Sequence, residues 1–273
     1  MRTAILQHDT AWEDRPENFR KIERLLDSVM DQKPELACMP EMFASGFSLN
    51  VAGVAEEPEG PTFHFLRELA RSRGVAVQGT FPEKVPGDDK GLNTCVTFDA
   101  RGRLLCRYHK IHPFSYGGED RHYRKGSMLP VFSLGPFSAA TPICYDLRFP
   151  EIFRHAMRRG ANLFIVPANW PEVRQHHWRA LSIARAIENL SWVVAINRTG
   201  QGGNLVYAGG SLVIAPTGEV VLEMDAGEQA AVVDVDPAAM LAARDRFRFL
   251  DDVRHDLMPD LFGVLEKTAT PPI

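Results

Sequence analysis

Short β-branched runs and longer segments of helical period take turns along almost the whole chain, a pattern produced by strands and helices packed in layers. Strands are expected at residues 3–8, 36–39, 75–80, 92–99, 103–108, 138–143, 163–166, 192–197, 206–214, 220–223 and 231–235. Helices are expected at 17–30, 63–72, 150–159 and 175–189, with a last one opened by Pro237 at its first position. In the first helix Phe19, Ile22, Leu25, Leu26 and Val29 fall on one stripe. Ala100-Arg101-Gly102 and Pro216-Thr217-Gly218 read as hairpin turns, and Gly160 as a helix stop. Strands this apolar need cover on both faces, so a sheet flanked by helices is expected. With no repeat and no linker rich in Pro, Gly or Ser, residues 1–266 read as one α/β domain and 267–273 as a loose tail. The mostly polar stretch 110–130 is long for a loop and is marked as a wall of the site.

The 273 residues suffice for a large core, and 45% apolar with 24% charged residues is an ordinary globular balance. Thirty-one Lys and Arg against 35 Asp and Glu give a net charge of −4 with no convincing basic patch, which argues against a nucleic-acid partner. No apolar run approaches the roughly 18 residues of a membrane helix, and the first residues do not form a secretory signal, so a cytoplasmic address is expected. The four cysteines, Cys38, Cys95, Cys106 and Cys144, show neither CxxC pairs nor zinc-type spacing, so no metal and no disulfide framework is expected.

Three strand ends carry a reactive side chain into a loop. Glu41, in Cys38-Met39-Pro40-Glu41-Met42-Phe43, has apolar neighbours that would raise a carboxyl toward the range of a useful base. Lys110 follows a strand directly and precedes the long loop. Cys144, in Pro142-Ile143-Cys144-Tyr145-Asp146-Leu147-Arg148, sits on a tight strand-to-helix turn, where backbone N–H groups at the helix start favour both a thiolate and an oxyanion. Taken singly, each has a plainer reading: an exposed loop glutamate, a surface lysine and a buried structural cysteine.

In the order Glu41, Lys110, Cys144, the three resemble the Glu-Lys-Cys triad of the nitrilase superfamily of carbon–nitrogen hydrolases. The resemblance runs from Ile5 to about Asp256, and Pro167-Ala168-Asn169-Trp170-Pro171 with Ala184-Arg185-Ala186-Ile187-Glu188-Asn189 look like its ω-amidase branch. The resemblance implies a four-layer α-β-β-α sandwich, homodimers or larger assemblies, and no metal or organic cofactor. It further implies a small amide substrate of the 2-oxoglutaramate type, cut through a thioester to a 2-oxo dicarboxylate and ammonia. Glu41 would be the base, Cys144 the nucleophile, and Lys110 with the Tyr145 N–H the oxyanion donors. Glu119, seven residues before Gly126, matches a second family glutamate that orients the lysine and substrate; a solvated loop acid is its other reading. Arg148 resembles an arginine that binds substrate carboxylate in carbamoyl-amino-acid hydrolases, against a salt bridge to Asp146 or Glu151. Phe43, Phe114, Tyr123, Asn169 and Trp170 are candidate pocket walls, with core packing the commoner role of aromatics beside apolar strands, while His176-His177 read as helix surface or packing. Amidases for N-carbamoyl amino acids, deaminated glutathione or aliphatic amides, a nitrile hydrolase, and a catalytically silent scaffold remain open.

Overall fold

The computed structural model of the chain describes residues 1–254. In chain order its strands are β1 (Arg2–Gln7), β2 (Leu36–Cys38), β3 (Ala76–Lys84), β4 (Gly91–Phe98), β5 (Leu104–His109), β6 (Phe132–Leu134), β7 (Phe137–Ala140), β8 (Leu163–Ala168), β9 (Trp192–Asn197), β10 (Thr199–Gly202), β11 (Leu205–Ala208), β12 (Leu212–Ile214), β13 (Val220–Glu223) and β14 (Gln229–Asp234). The α-helices are α1 (Arg15–Asp27), α2 (Val51–Val54), α3 (Pro61–Arg73), α4 (Glu119–His122), α5 (Pro150–Arg158), α6 (Gln175–Asn189) and α7 (Pro237–Arg246). The expected boundary at residue 266 and the tail 267–273 lie outside the described residues.

Two six-stranded sheets result, ordered β14-β1-β2-β3-β4-β5 and β13-β12-β9-β8-β7-β6, with β10-β11 as a separate ribbon. Side chains alternate across each strand and sort the core into three layers. On β1, Ala4 and Leu6 face α1 and α3, packing with Ile22, Leu26 and Leu66. Ile5 points the other way, into a layer shared with Leu163, Ile165 and Val194 of the second sheet. On β8, Phe164 and Val166 turn outward onto Phe153 of α5 and Trp178 of α6. The molecule is therefore one α-β-β-α sandwich, as the family resemblance implies. Burying one such large apolar side chain is worth about 1.5–3 kcal/mol, so both faces of each sheet stabilise it.

Most element ends follow local chemistry. Asp14 caps α1 by accepting from the Glu17 N–H, Gly74 ends α3 in the left-handed region, and Pro237 opens α7 as expected. The segment 206–214 is not one strand: β11 and β12 belong to different sheets, separated by Gly209 and Gly210, both at φ +66. A Cβ on either would lie within 2.3 Å of the Gln7 or Gln175 amide, so the break needs glycine. The strand expected at 138–143 stops at Ala140, and the loop 110–130 contains α4, which Glu119 opens.

Candidate active site

Four strand ends, two from each sheet, deliver the site. Glu41 follows β2, Lys110 follows β5, Cys144 follows β7 and Asn169 follows β8. Within the first sheet β2 is parallel to β3, and β5 runs the same way because β3-β4 and β4-β5 are both antiparallel; within the second β7-β8-β9 are parallel, so residues distant in sequence meet at one edge of the sandwich.

Cys144 begins a short 3-10 turn, Cys144–Arg148, at φ +45, a left-handed conformation costing a non-glycine residue about 1–3 kcal/mol. Asp146 holds that turn. Its buried carboxylate accepts from the Ile143 N–H at 2.9 Å, the Tyr108 hydroxyl at 2.6 Å and the His112 N–H at 3.0 Å, and meets His112 Nδ1 at 2.8 Å. The Tyr145 N–H lies in the first turn, where helix N–H groups lack intrahelical partners.

Glu41 and Lys110 are sealed from solvent, their side chains fully buried. Lys110 Nζ donates to Glu41 Oε1 at 2.7 Å and to Glu119 Oε2 at 2.8 Å. Asn93 repeats the bridge from the other side: its Nδ2 donates to Glu41 Oε1 at 2.8 Å and to Glu119 Oε1 at 2.9 Å. Glu119 also accepts from the Phe114 N–H. Asn169 completes the cradle, its N–H donating to Glu41 Oε2 at 3.0 Å and its Nδ2 to the Glu41 carbonyl at 2.7 Å. Cys144 lines the same cavity as Glu41 and Asn169.

Electrostatics set the protonation pattern. Burial alone disfavours the Lys110 ammonium, but the carboxylates of Glu119 and Glu41 outweigh it and raise the lysine above its ordinary value, so it stays charged. Burial likewise raises Glu119, opposed by Lys110. Burial, then the charge of Glu41, push the Cys144 thiol well above the usual cysteine range against the opposing pull of Lys110. Cys144 is thus held as a thiol. Burial also raises Cys38 and Cys106, and Cys95 to about 11, as expected of structural cysteines.

A cavity of about 390 Å³ opens on this centre, lined by Glu41, Phe47, Phe114, Cys144, Asn169 and Tyr207 among others. An adjoining pocket shares Phe114, Cys144 and Asn169 with it and adds Tyr145, Arg148, Trp170 and Arg174. Of the sequence candidates, Glu41, Lys110, Glu119 and Cys144 converge, and Phe114, Asn169, Trp170 and Arg148 line the cavities beside them. Arg148 makes neither salt bridge considered for it. Its guanidinium stands 4.8 Å from the Trp170 ring centroid and 5.9 Å from that of Tyr145, and meets His177 Nδ1 at 3.3 Å, while Asp146 is taken up by the turn. Phe43 is not a pocket wall but lies in the core between α1, α3 and the first sheet. Tyr123 is buried with its hydroxyl on the Ser48 carbonyl. The sequence reading missed Asn93 and Arg174; the one usable signal for Asn93 was an amide inside the apolar run Leu92-Asn93-Thr94-Cys95-Val96.

Among the described residues no group of three or more His, Cys, Asp or Glu is arranged to hold a metal, and no helix is long and apolar enough to cross a membrane.

Comparison with known proteins agrees with this architecture. The 2-oxoglutaramate amidase of Bacillus subtilis is 32% identical over 256 residues, 93% of this chain and 98% of the relative. The omega-amidase YafV of Yersinia enterocolitica is 32% identical over 92% of this chain and 96% of its own length. The structure of XC1258 from Xanthomonas campestris, a CN-hydrolase superfamily protein with an arsenic adduct in its active site, superposes with a TM-score of 0.86 at 33% identity, covering 92% of this chain and 96% of that one. An amidase from Nesterenkonia sp. AN1, seen with acrylamide added to its active-site cysteine, gives a TM-score of 0.84 at 28% identity over 96% of this chain and 99% of its own. The carbon-nitrogen hydrolase profile matches residues 2–245, and the chain belongs to that family of enzymes.

Proposed function

We propose that the chain is an ω-amidase-type amidohydrolase that uses Cys144, Glu41 and Lys110 to release ammonia from small 2-oxo acid amides such as 2-oxoglutaramate. The observation that carries the reading is that Cys144 and Glu41 line one cavity while Lys110, fully buried, bonds to the same Glu41 carboxylate. In this mechanism Glu41 takes the thiol proton as Cys144 Sγ attacks the amide carbon. The Lys110 ammonium and the Tyr145 N–H stabilise the oxyanion, a class of interaction worth roughly 10²–10³-fold per donor. As the tetrahedral intermediate collapses, Glu41 hands its proton to the departing nitrogen and a thioester with Cys144 remains. Glu41 then draws a proton from water, the resulting hydroxide attacks the thioester, and Cys144 leaves, recovering the proton. Glu119 and Asn93 position Lys110 and Glu41 without touching the reacting atoms.

The substrate choice is supported by relatives named 2-oxoglutaramate amidase and omega-amidase that align over nearly the full chain, and by cationic side chains beside Cys144 suited to a carboxylate. A homodimer or larger assembly and a cytoplasmic address belong to the same proposal. Turnover compared across 2-oxoglutaramate, an N-carbamoyl amino acid, deaminated glutathione and a simple aliphatic amide tests it. The 2-oxo acid amide is expected to give the highest kcat/KM. Preference for another of the four would keep the chemistry and discard the substrate, and no turnover of any would favour a scaffold.

A further inference from the structure

The catalytic centre buries two carboxylates, Glu41 and Glu119, against one ammonium, Lys110. Two carboxyl groups set against one ammonium offer an anionic substrate little attraction, so cations elsewhere on the cavity wall are needed to hold it. Two cations stand there. Arg148 and Arg174 line the pocket that Cys144 and Asn169 share, and neither forms an ion pair among the described residues.

The two are not equivalent. Arg148 is partly engaged, lying over the Trp170 and Tyr145 rings and meeting His177 Nδ1. Arg174 makes no side-chain hydrogen bond among the described residues, so its planar donor fork is free; its guanidinium rests 5.5 Å from the centroid of the Phe114 ring. Its backbone, by contrast, is pinned. Trp170 Nε1–H donates to the Arg174 carbonyl at 2.8 Å and the Arg174 N–H donates to the Pro171 carbonyl at 3.0 Å. Phe114 is tied through its N–H to Glu119, so the ring under the guanidinium and the lysine cluster share one frame. A free bidentate donor on a fixed support, beside the nucleophile, is the construction that carboxylate recognition requires.

We infer that Arg174 anchors the carboxylate of an anionic amide substrate, acting with Arg148 as a two-arginine clamp that selects amides carrying a carboxylate over neutral ones. The inference rests on the amidase reading for its substrate class, and its test is a binding measurement that does not need turnover.

Inactive Cys144→Ala protein is titrated calorimetrically with 2-oxoglutaramate and with its neutral methyl ester, alone and with Arg174→Gln or Arg174→Lys added. Loss of charge-assisted hydrogen bonds should weaken the carboxylate ligand about 10- to 100-fold in the Gln variant and the ester less than about 3-fold, at unchanged melting temperature. The Lys variant should recover part of the loss for the carboxylate only. Equal weakening of both ligands, no weakening of either, or no measurable binding of the carboxylate to the parent would each overturn the inference. Arg174-dependent binding of the carboxylate by a protein whose wild type does not hydrolyse it would retire the 2-oxoglutaramate reading and leave the clamp standing. Normal hydrolysis with binding indifferent to Arg174 would retire the clamp alone.

Discussion

Replacing Lys110 by methionine, close to it in length but uncharged, leaves two fully buried carboxyl side chains without their cation. Glu41 Oε1 and Glu119 Oε2 both accept from Lys110 Nζ, at 2.7 and 2.8 Å, so these oxygens lie no more than about 5.5 Å apart and, both ionised, repel by about 3 kcal/mol at an effective dielectric near 20. Breaking a buried ion pair typically costs about 3–5 kcal/mol, the same range, which for a chain this size is a fall in melting temperature of about 6–20 °C. The deficit should depend on pH with a definite sign. Burial already raises Glu119 and Lys110 opposes the rise, so removing the lysine raises it further. A carboxyl raised in the folded state contributes stability that is full below its unfolded value, about 4.3, and is lost as pH rises through the folded value. Urea unfolding of Lys110→Met at fixed protein concentration should therefore show its largest deficit near pH 8 and a smaller one near pH 5. Adding Glu119→Gln should restore much of the loss at pH 8, because the repulsion disappears. A Lys110→Met protein as stable as wild type at pH 8, or equally impaired at both pH values, would refute the buried-cluster argument.

Other consequences can be checked on the same samples. Asp146→Asn keeps the shape but weakens the clamp on the strained Cys144 turn; kcat is expected to fall about 10- to 100-fold with KM little changed, and a change confined to KM would contradict that role. Burial lowers His8 to about 3, and its Nε2 lies 3.0 Å from the Phe43 carbonyl, so it is neutral when folded and takes up a proton on unfolding. That stability is present above about 6.5 and is lost as pH falls toward 3, so His8→Asn should flatten the acid limb of the stability profile between those values. An unchanged slope would show that His8 does not contribute to it.

Much of this was legible in the sequence because it depends on local pattern. Apolar runs marked β1, β8 and β9 nearly to the residue, and the three reactive side chains each stood where such a run stopped. What stayed hidden depends on partners distant in sequence. The run 206–214 is continuously β-like, and nothing local announces that Gly209 and Gly210 must leave room for the amides of Gln7 and Gln175. Asn93 sits inside β4 among apolar neighbours, and its meaning comes from two glutamates, 52 residues before it and 26 after. Asn169 read as a pocket wall, yet its larger part is to hold Glu41, 128 residues away. Phe43 and Tyr123, for which wall and core were both open with core the commoner fate of aromatics beside apolar strands, are core.

The central claim is that Cys144 attacks the amide carbon and carries the acyl group as a thioester. Mass spectrometry of the intact protein and of its acid-protease peptides after rapid acid quench during turnover of 2-oxoglutaramate tests it directly. The expected result is a transient adduct of the substrate less ammonia on the peptide containing Cys144, absent in Cys144→Ala, whose ammonia release should fall by at least about 10³-fold. Steady ammonia release from the Cys144→Ala protein at an undiminished rate would contradict the account.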